Sequence, residues 1–546
     1  MDNKIKRFAL QNALKYDGKA NVGAVIGHIF SSTKVADKEK IIEEVKEVVK
    51  EVNSLSLKEQ EQQYKSLGII KEKKREERKG LPELPNAKKG KVVMRIAPYP
   101  SGPLHIGNAR PFILNDEYVK KYKGKLLLVI DDTIGSEEKN ISKEAYKLIP
   151  EGLIWLDVRY SRTLYKSDRL KIYYQYAEKL IKEYKAYVCF CKTDKLRENR
   201  AKGIECECRH RSVEDNLKEW KNMLKKYEEG KAALRLKTDM QDPDPAFRDR
   251  VMFRISKRRH PRVGTKYKVW PLLDFSWAID DHLLGITHII RGKELMMESK
   301  VEEYIWKIFG WGKPVIIHTG LLQLEGVKLS KSKSKQEVES KKYTGWDDPR
   351  TWSLQSLKRR GILPEAVRKF VLSFGLNQTE VTVPVESLYM ENKRLIDEKS
   401  NRYFFVWDPK KIKIKDAPKV VAKAPMHPDF KSRGRRSIKT NGEFYICDEL
   451  DPNKYYRFMH LFNFKDKKYA SRDYDPKLKL NMIHWLPVSD VVKVEVLLED
   501  GKIVKGLGES ALKKLKIGEI IQFERFSFVK LEKKSKNKLN FIWTHR

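Results

Sequence analysis

The chain has 546 residues and a mass of 64.2 kDa, and its 114 lysines and arginines outnumber its 75 aspartates and glutamates, for a formal net charge of +39. This length exceeds one compact core, so we expect about two to four domains. The excess of positive charge points to a polyanion such as nucleic acid; a lysine-rich proteome is the alternative, but it accounts less well for an excess of one sign. No run approaches the ~20 apolar residues of a membrane span and no secretory core follows Met1, so we expect a cytoplasmic protein without a membrane partner.

The first 88 residues are predicted to form a helical domain followed by a linker. Apolar residues recur at helical spacing among glutamates and lysines at Ile41, Ile42, Val45, Val48, Val49 and Val52. This spacing predicts one apolar stripe and one solvated face. The charged tract over residues 71–80 and the proline-containing residues 81–85 are typical of a linker and a rigid spacer.

A βαβ unit follows this linker. Residues 91–96 and 125–130 are predicted strands, and residues 107–123 between them are a predicted helix, which gives a parallel crossover. In doubly wound sheets the ligand lies beyond the carboxyl ends of the strands. This rule places residues 97–108 and 131–133 around one crevice.

The sheet is predicted to continue to about residue 330. Apolar strands over residues 286–290 and 315–318 alternate with a helix over residues 293–309, whereas residues 189–255 are predicted to be an insertion.

Residues 100–110 form the first of two motifs that suit a nucleotide. They put small residues, an imidazole and a helix start directly after a predicted strand, where backbone N–H groups and the positive helix end can hold phosphates. His105 can donate a hydrogen bond to phosphate oxygens, and Gly102 and Gly107 permit a close backbone approach. Taken alone, this segment is also typical of an ordinary tight strand-to-helix connection.

The second motif is the Lys328-Leu329-Ser330-Lys331-Ser332 segment. It can bring two ammonium groups and two hydroxyls to the phosphates that the first motif would hold. Gly326 precedes it, which favours a loop, and Lys331 is the better candidate to reach phosphates. By itself the segment is typical of a basic surface loop. The order of the two motifs and the βα elements between them favour one joint site.

Both motifs resemble the signatures of class I aminoacyl-tRNA synthetases, which activate an amino acid with ATP and transfer it to tRNA. From about residue 91 onward the chain resembles glutamyl-tRNA synthetases of the archaeal kind. The resemblance is carried in order by Arg95-Ile96-Ala97-Pro98, the His105-Ile106-Gly107 segment, Asp131-Asp132-Thr133, residues 280–288, the Lys328 to Ser332 segment and residues 345–350.

The resemblance implies a multidomain α/β and β architecture. It consists of a helical N-terminal domain and linker (1–88), a Rossmann-type doubly wound catalytic domain (89–330) with an acceptor-binding insertion (about 189–255), a helical bridge (331–381) and a β-barrel anticodon-binding domain (382–546). The sequence pattern after residue 382 fits barrels. Apolar residues alternate with polar ones at Val492, Val494, Val496 and Leu498, and Asp500-Gly501 is typical of a hairpin turn. Further strands are indicated by Ile521, Phe523 and Phe528.

The activity implied by the resemblance is glutamate–tRNA ligation, in which ATP, glutamate and the tRNA of glutamate give glutamyl-tRNA, AMP and pyrophosphate. The implied ATP-binding residues are Pro100, Ser101, Gly102, His105, Gly107, Asn108, Lys328, Ser330, Lys331 and Ser332. Of these, His105, Asn108 and Lys331, with Mg²⁺, would stabilise charge at the α-phosphorus. Whether the tRNA of glutamine is also charged is left open.

By the same resemblance, Arg95 and Arg291 bind the two carboxylates of glutamate and Asp131 binds its ammonium group. The alternative is that each arginine caps a strand end and pairs locally. A glutaminyl-tRNA synthetase is the second candidate enzyme, because that family shares the Asp-Asp-Thr segment and the C-terminal barrels. Its residue at the position of Arg291 is uncharged, which favours glutamate as the substrate of this chain.

Three residues depart from the family pattern. Asn108 replaces a second histidine, Leu273 a tyrosine that contacts the substrate amino group, and Val129 an arginine beside the Asp-Asp-Thr segment. These departures leave open a tRNA-binding paralogue that no longer activates amino acids, although the intact lysine motif argues against it.

Four of the five cysteines crowd into Cys189, Cys191, Cys206 and Cys208. Four thiolates can bind Zn²⁺ tetrahedrally, although structural zinc sites more often have two or more residues between the two cysteines of each pair. The alternative is four reduced cysteines in the insertion.

In the predicted bridge, Arg350, Arg359 and Arg360 suit tRNA phosphates, or are simply a basic helix end.

Overall fold

The computed structural model describes residues 2–16, 18–32, 38–67, 80–136, 140–327 and 331–546. The chain divides into two compact units, Met1–Lys79 and Gly80–Arg546. Within the described ranges, no helix has both the length and the apolar character needed to cross a membrane.

Four helices form the described part of the first unit: α1 Asp2–Lys15, α2 Val22–Ser32, α3 Lys38–Ser54 and α4 Leu57–Ser66. The apolar stripe expected in α3 is buried at Ile41, Val45, Val48, Val49 and Val52, whereas Ile42 is partly exposed. Helix α4 begins with a capping box, because Ser56 Oγ accepts a hydrogen bond from Glu59 N and the Glu59 carboxylate accepts one from Ser56 N. Two backbone groups that a helix start leaves open are thereby satisfied.

The second unit begins with three parallel strands and their crossover helices. Its first elements are β1 Val93–Ile96, α5 Ile106–Tyr122, β2 Lys125–Ile130, α6 Ala145–Trp155, β3 Arg162–Tyr165 and α7 Leu170–Lys182. Strand β2 pairs in parallel with β1 on one side and with β3 on the other. The βαβ unit expected from residues 91–130 is therefore present.

The proline-containing stretch that was expected to be a spacer packs against α5. Leu84 is buried and its N donates to Tyr122 Oη at 2.9 Å, and Tyr118 Oη donates to Pro82 O at 3.0 Å. Most of the charged tract before it, residues 71–79, lies outside the described residues.

An antiparallel sheet interrupts the parallel one. Its elements are β4 Ala186–Cys189, α8 Thr193–Lys202, α9 Val213–Lys225, β5 Ala233–Leu236, β6 Val251–Ile255 and β7 Val269–Pro271. The strands pair in the order β4-β5-β6-β7. The inserted sheet thus extends further on both sides than residues 189–255.

The parallel sheet then resumes on the other side of β1. The next elements are α10 Leu273–Leu283, β8 His288–Gly292, α11 Met296–Ile308, β9 Val315–Thr319 and β10 Leu322–Leu324. Strands β8 and β9 are parallel, and β8 lies beside β1 because Thr287 N donates to Val93 O at 2.9 Å. The strand order β3-β2-β1-β8-β9 changes direction at β1, and a crevice opens at such a switch point.

A mainly helical segment follows: α12 Lys331–Glu339, α13 Leu354–Arg360, α14 Pro364–Leu372, β11 Val381–Val383 and α15 Glu386–Ile396. It is attached to the preceding elements in two places. Strand β11 pairs in parallel with β10, and Leu354 N at the start of α13 donates to Leu104 O at 2.8 Å.

The rest of the chain is rich in strands: β12 Arg402–Tyr403, β13 Phe405–Trp407, β14 Lys410–Lys413, β15 Val421–Pro425, β16 Arg435–Lys439, β17 Glu443–Ile446, β18 Tyr455–Phe458, β19 Asn463–Lys465, β20 Lys468–Ser471, β21 Asn481–Ile483, β22 Leu486–Pro487, β23 Val491–Leu497, β24 Ile503–Glu509, β25 Ile520–Phe523, β26 Ser527–Lys534 and β27 Lys538–His545. The largest sheet has the order β12-β25-β26-β27-β23-β24-β13. The expected hairpin is present, because β23 and β24 are antiparallel and Gly501 turns between them with φ of 86°.

The close approach of β1 to the start of β2 gives a first prediction. A Cβ on Gly124 would lie 2.3 Å from Val92 O, whereas one on Gly312 would meet open space. We expect Gly124→Ala to lower the free energy of unfolding by about 1–3 kcal/mol, because the strands must shift apart. Urea unfolding followed by tryptophan fluorescence measures this loss, with Gly312→Ala as the matched control. Equal stability of the two variants would contradict the prediction.

Candidate functional site

The expected phosphate-binding segment lies at the start of α5, beyond the end of β1. His105 precedes the helix with extended backbone angles, φ −121° and ψ 169°, and its N donates to Asn108 Oδ1 at 3.4 Å. The first turn of a helix leaves N–H groups without helical partners, and together with the helix dipole they favour an anion at this point.

A cavity of about 390 Å³ opens at this helix start. It is lined by His105, Gly107, Asn108, Arg110 and Pro111 from the α5 side and by Gly292, Glu294, residues 319–324 and Val327 from the β8 and β9 side. Its volume lies within the ~300–1,000 Å³ range of small-molecule sites, and it lies at the topological switch point where α/β sheets bind ligands.

The structure places the other expected ATP-binding residues differently. Pro100, Ser101 and Gly102 are not among the described residues that line the cavity. A Cβ on Gly102 would lie 3.1 Å from the Trp346 ring, and Pro100 O accepts a hydrogen bond from Ser142 N at 2.8 Å. This loop is therefore packed against neighbouring segments, and its contact with ATP stays a prediction.

The lysine motif follows the cavity wall directly along the chain. Val327 lines the cavity, Lys328 and Ser330 lie outside the described residues, and Lys331 and Ser332 open helix α12.

Arg95 and Arg291, the expected glutamate-binding arginines, are both buried in two-pronged ion pairs. Arg95 donates from Nε and Nη2 to the two oxygens of Asp281 at 2.6 and 2.8 Å. Arg291 donates from Nη1 and Nη2 to the two oxygens of Glu302 at 2.8 and 2.9 Å. The local pairing weighed as the alternative is therefore present, and binding of glutamate by these arginines stays a prediction.

Asp131, the residue expected to bind the substrate ammonium group, already faces a cation. Lys166 Nζ lies 3.2 Å from Asp131 Oδ1 and donates to Ser276 Oγ at 2.7 Å. Lys166 is completely buried, and this desolvation lowers its pKa. Lys166 directly follows β3, the strand that pairs with β2. The family pattern has an arginine where this chain has the buried Val129, and Lys166 supplies a cation next to Asp131 instead.

Trp277 on α10 brings the cations of this site together. Its ring centroid lies 4.6 Å from Arg95 Cζ, 4.9 Å from Lys166 Nζ and 5.3 Å from Arg291 Cζ. Cations within about 6 Å of an indole face are attracted to it. The aromatic face thus helps to hold three like charges near each other.

Sequence reasoning missed four residues of this network: Lys166, Trp277, Asp281 and Glu302. Asp281 follows a largely apolar run, and a charge that is buried there needs a partner, whereas Lys166 and Glu302 stand among other charged or polar residues and gave no such signal. Among the residues that depart from the family pattern, Leu273 opens helix α10.

The arginines of the helical segment have internal partners. Arg359 donates to both carboxylate oxygens of Glu532 on β26 at 2.6 and 3.1 Å. Arg360 is completely buried and lies 3.1 Å from Glu499, and Arg350 pairs with the nearby Asp348. Two of these pairs attach α13 to the C-terminal strands, and contact of the three arginines with tRNA stays a prediction.

The four clustered cysteines come together in the inserted sheet. The sulfur atoms of Cys189, Cys191, Cys206 and Cys208 all lie within 4.8 Å of one another, and those of Cys189 and Cys206 are 3.9 Å apart. Arg235 Nη1 lies 3.6 Å from both of these sulfurs. A guanidinium group at this distance favours thiolates, which are the metal-binding form of cysteine.

The chain matches three known protein families. The family described as "tRNA synthetases class I (E and Q), catalytic domain" matches residues 91–398, and the two families described as their anti-codon binding domain match residues 400–483 and 482–532. With this geometry and these matches over most of its length, the chain belongs to the class I tRNA synthetases of the glutamate and glutamine (E and Q) family.

Among individual proteins, the chain is 46% identical to the glutamate–tRNA ligase of Methanocaldococcus jannaschii over 100% of both chains. It is 45% identical to the glutamate–tRNA ligase of Pyrococcus abyssi over 99% of both. A crystal structure of a glutamate tRNA ligase from Elizabethkingia meningosepticum aligns with a TM-score of 0.42 at 19% identity, over 57% of this chain and 71% of that one. The two relatives at 45–46% identity over the full length confirm the resemblance to archaeal glutamyl-tRNA synthetases.

The buried pair of Arg95 and Asp281 gives a second prediction. Asp281→Asn leaves a buried guanidinium without its anionic partner, and we expect the free energy of unfolding to fall by about 3–5 kcal/mol. The matched control is Asp347→Asn, because the Asp347 side chain is 54% exposed and lies 3.8 Å from Arg359. This control should stay within about 0.5 kcal/mol of the parent chain. Denaturant unfolding compares the two, and a loss no larger than that of the control would refute the stabilising role of the pair.

Proposed function

We propose that the protein is a glutamate–tRNA ligase. It forms glutamyl-adenylate from glutamate and ATP with release of pyrophosphate, and then transfers the glutamyl group to the terminal adenosine of the tRNA of glutamate with release of AMP. The observation that carries this proposal is the cavity at the switch point, which joins the start of α5 to the chain segment that leads into the lysine motif. The full-length relatives named glutamate–tRNA ligase support the choice of amino acid.

In the first step, a carboxylate oxygen of glutamate attacks the α-phosphorus of ATP and the bond to the bridging oxygen of the β-phosphate breaks. His105 and the Asn108 amide donate hydrogen bonds to the phosphate oxygens as their negative charge grows. Gly107 lets the phosphates approach the positive end of α5, and Lys331 adds an ammonium group. Because an amide carries no charge, Asn108 stabilises these oxygens less than a protonated histidine would.

Mg²⁺ accompanies ATP in this proposal. The ion is usually bound by one or two carboxylates together with substrate phosphates and water. Glu294 is the one carboxylate among the described residues that line the cavity. This donor set fits an ion held mainly by the triphosphate, where it supplies positive charge between the phosphates.

Selection of glutamate follows from charge. Glutamate carries two carboxylates, and the guanidinium groups of Arg95 and Arg291 match carboxylates with two-pronged geometry. Asp131 binds the ammonium group. Each of these three side chains is oriented by a buried partner of opposite charge. A glutamine side chain offers no second carboxylate, so glutamate is preferred.

In the second step, a ribose hydroxyl of the terminal adenosine attacks the activated carbonyl, and AMP leaves. We assign residues 89–330 to the catalytic domain, with the inserted sheet receiving the acceptor end of tRNA. Residues 331–381 form the bridge and residues 382–546 the β-barrels that read the anticodon. Residues 1–88 form the helical N-terminal domain and its linker, whose last residues pack on α5. The net charge of +39 suits binding to an RNA backbone.

A charging assay tests this proposal. The protein is incubated with ATP, labelled glutamate or glutamine, and the tRNA of either amino acid. We expect labelled glutamyl-tRNA of glutamate. Preference for glutamine would establish the glutaminyl alternative, and no labelled tRNA from folded protein at saturating substrate would leave the paralogue without activating function. The same assay decides whether the tRNA of glutamine is charged with glutamate.

The proposed role of Lys331 gives a third prediction. Lys331→Ala should slow charging by about 100-fold or more, because one donor to the developing phosphate charge is lost. The Kd for tRNA should change less than about twofold, because a single phosphate contact contributes little to a large polyanion interface. The matched control is Lys342→Ala, which removes an exposed lysine paired with Glu337 at 3.1 Å. A large loss of tRNA binding in Lys331→Ala would contradict its assignment.

We also propose that the cysteine cluster binds one Zn²⁺. Four thiolates at Zn–S distances of about 2.3 Å lie roughly 3.8 Å apart at the corners of a tetrahedron. The Cys189 and Cys206 sulfurs are 3.9 Å apart, and no two of the four sulfurs are more than 4.8 Å apart. These distances agree with this geometry. The ion would cross-link the end of β4 to the loop after α8 and stabilise the inserted sheet.

Metal analysis of the purified protein provides the fourth prediction. We expect about one zinc per chain, and we expect chelator to lower the thermal midpoint of unfolding, because metal binding is coupled to folding. The Cys206→Ser, Cys208→Ser double variant should lose the metal, whereas Cys447→Ser, which changes a cysteine outside the cluster, should keep it. Absence of zinc, with a midpoint unaffected by chelator, would eliminate the site.

A further inference from the structure

The Arg291–Glu302 pair closes the position where the side-chain carboxylate of glutamate would bind. Glu302 is completely buried and accepts two hydrogen bonds from the guanidinium group. Arg291 Nη2 also donates to Ser299 Oγ. Arg291 Nε is buried and has no hydrogen-bond partner among the described residues. The Nε donor of the guanidinium group is therefore unused, while Glu302 occupies one N–H of Nη1 and one of Nη2, and Ser299 accepts a further bond from Nη2.

Charged groups of both signs face Glu302. Arg291 approaches from β8, Arg95 from β1 and Asp281 from α10. His318 on β9 reaches the same cluster through Ser299 Oγ at 2.8 Å, and burial lowers the pKa of His318, so it stays neutral above pH 7. Burial acts more strongly on Glu302 than the attraction of Arg291 does, and it raises the pKa of Glu302 to about 7.

We propose that Glu302 is a positioning residue that gives way to the substrate: the side-chain carboxylate of glutamate takes its place on Arg291, and Glu302 takes up one proton from the solvent. The inference rests on the proposed function, because it needs glutamate in this site. The proton forms an O–H bond on the Glu302 carboxyl group, and no other covalent bond forms or breaks. The incoming carboxylate replaces the charge that Glu302 loses, so the buried cluster keeps its net charge, which avoids the cost of burying an unpaired ion.

This exchange favours glutamate over glutamine. A neutral amide cannot replace the carboxylate charge on Arg291, so a bound glutamine would leave Glu302 ionised and in place. Glu302 therefore helps to reject glutamine while Arg291 remains available to an anion. Discrimination arises because the wrong substrate leaves a buried group without its partner.

The exchange determines how glutamate binding depends on pH. Below about pH 7, Glu302 already carries its proton in the free protein, and binding of glutamate needs no further proton. Above this pH, Glu302 is ionised in the free protein and must be protonated, so binding weakens as pH rises. One coupled proton corresponds to a change of up to about tenfold in the binding constant per pH unit.

The fifth prediction is a pH series of the KM for glutamate in the charging assay, from pH 6.5 to 8.5. We expect the KM of the parent chain to rise about tenfold between pH 7.5 and 8.5. Glu302→Gln should show a nearly constant KM that lies below the parent value at pH 8.5. The matched control Glu303→Gln changes an exposed neighbour that pairs with Lys313 at 3.3 Å, and it should follow the parent chain. The KM for ATP should be the same in all three.

A second measurement needs no variant. Calorimetry at pH 8.0, in two buffers that differ in ionisation enthalpy, gives the number of protons taken up when the parent chain binds a stable sulfamoyl analogue of glutamyl-adenylate. We expect about one proton for this analogue and about none for the glutaminyl analogue. Charging with a KM for glutamate that does not depend on pH, or equal proton uptake for both analogues, would overturn the inference alone. Absence of glutamate charging at every pH would refute the proposed function itself.

Discussion

The position of β8 beside β1 is the constraint on which the catalytic unit depends. The hydrogen bond from Thr287 N to Val93 O joins segments that are far apart in the chain and separated by an entire inserted sheet. It brings the carboxyl end of β8, with Arg291, next to that of β1, with Arg95, and it opens the cavity between the start of α5 and the loops after β8 and β9. Without this pairing, Arg95 and Arg291 would not lie at neighbouring strand ends, and the start of α5 would not face the loops after β8 and β9.

Six charged side chains are buried close together near the ends of these strands. Arg95, Lys166 and Arg291 lie around Trp277, and Asp281, Asp131 and Glu302 lie opposite them. Each charge would be costly alone, but in alternating order the charges satisfy each other and hold their side chains in fixed directions. In the proposed function, a substrate that enters this cluster must replace a charge as well as fill a space, which would favour ionised groups.

Helix α13 connects this site to the C-terminal strands. At its start, Leu354 N binds Leu104 O directly before His105, and near its end Arg359 and the buried Arg360 pair with Glu532 and Glu499. One short helix therefore holds the loop before α5 at one end and the strand-rich part of the chain at the other. Two of the three arginines for which tRNA contact is a prediction, Arg359 and Arg360, thus also attach this helix to the strand-rich part.

Local sequence patterns determined most of the architecture, because hydrophobic periodicity and turn residues act over short distances: the stripe of α3, the βαβ unit and the β23–β24 hairpin are all present. Ordered motifs also determined the family. Only the tertiary structure decided which charges meet. Asp281 and Glu302 gave no signal as partners of Arg95 and Arg291, and Lys166 gave none as a partner of Asp131, because each pair joins different elements of the fold. A charge must find a partner when it is buried, but the choice of that partner depends on which strands and helices pack together.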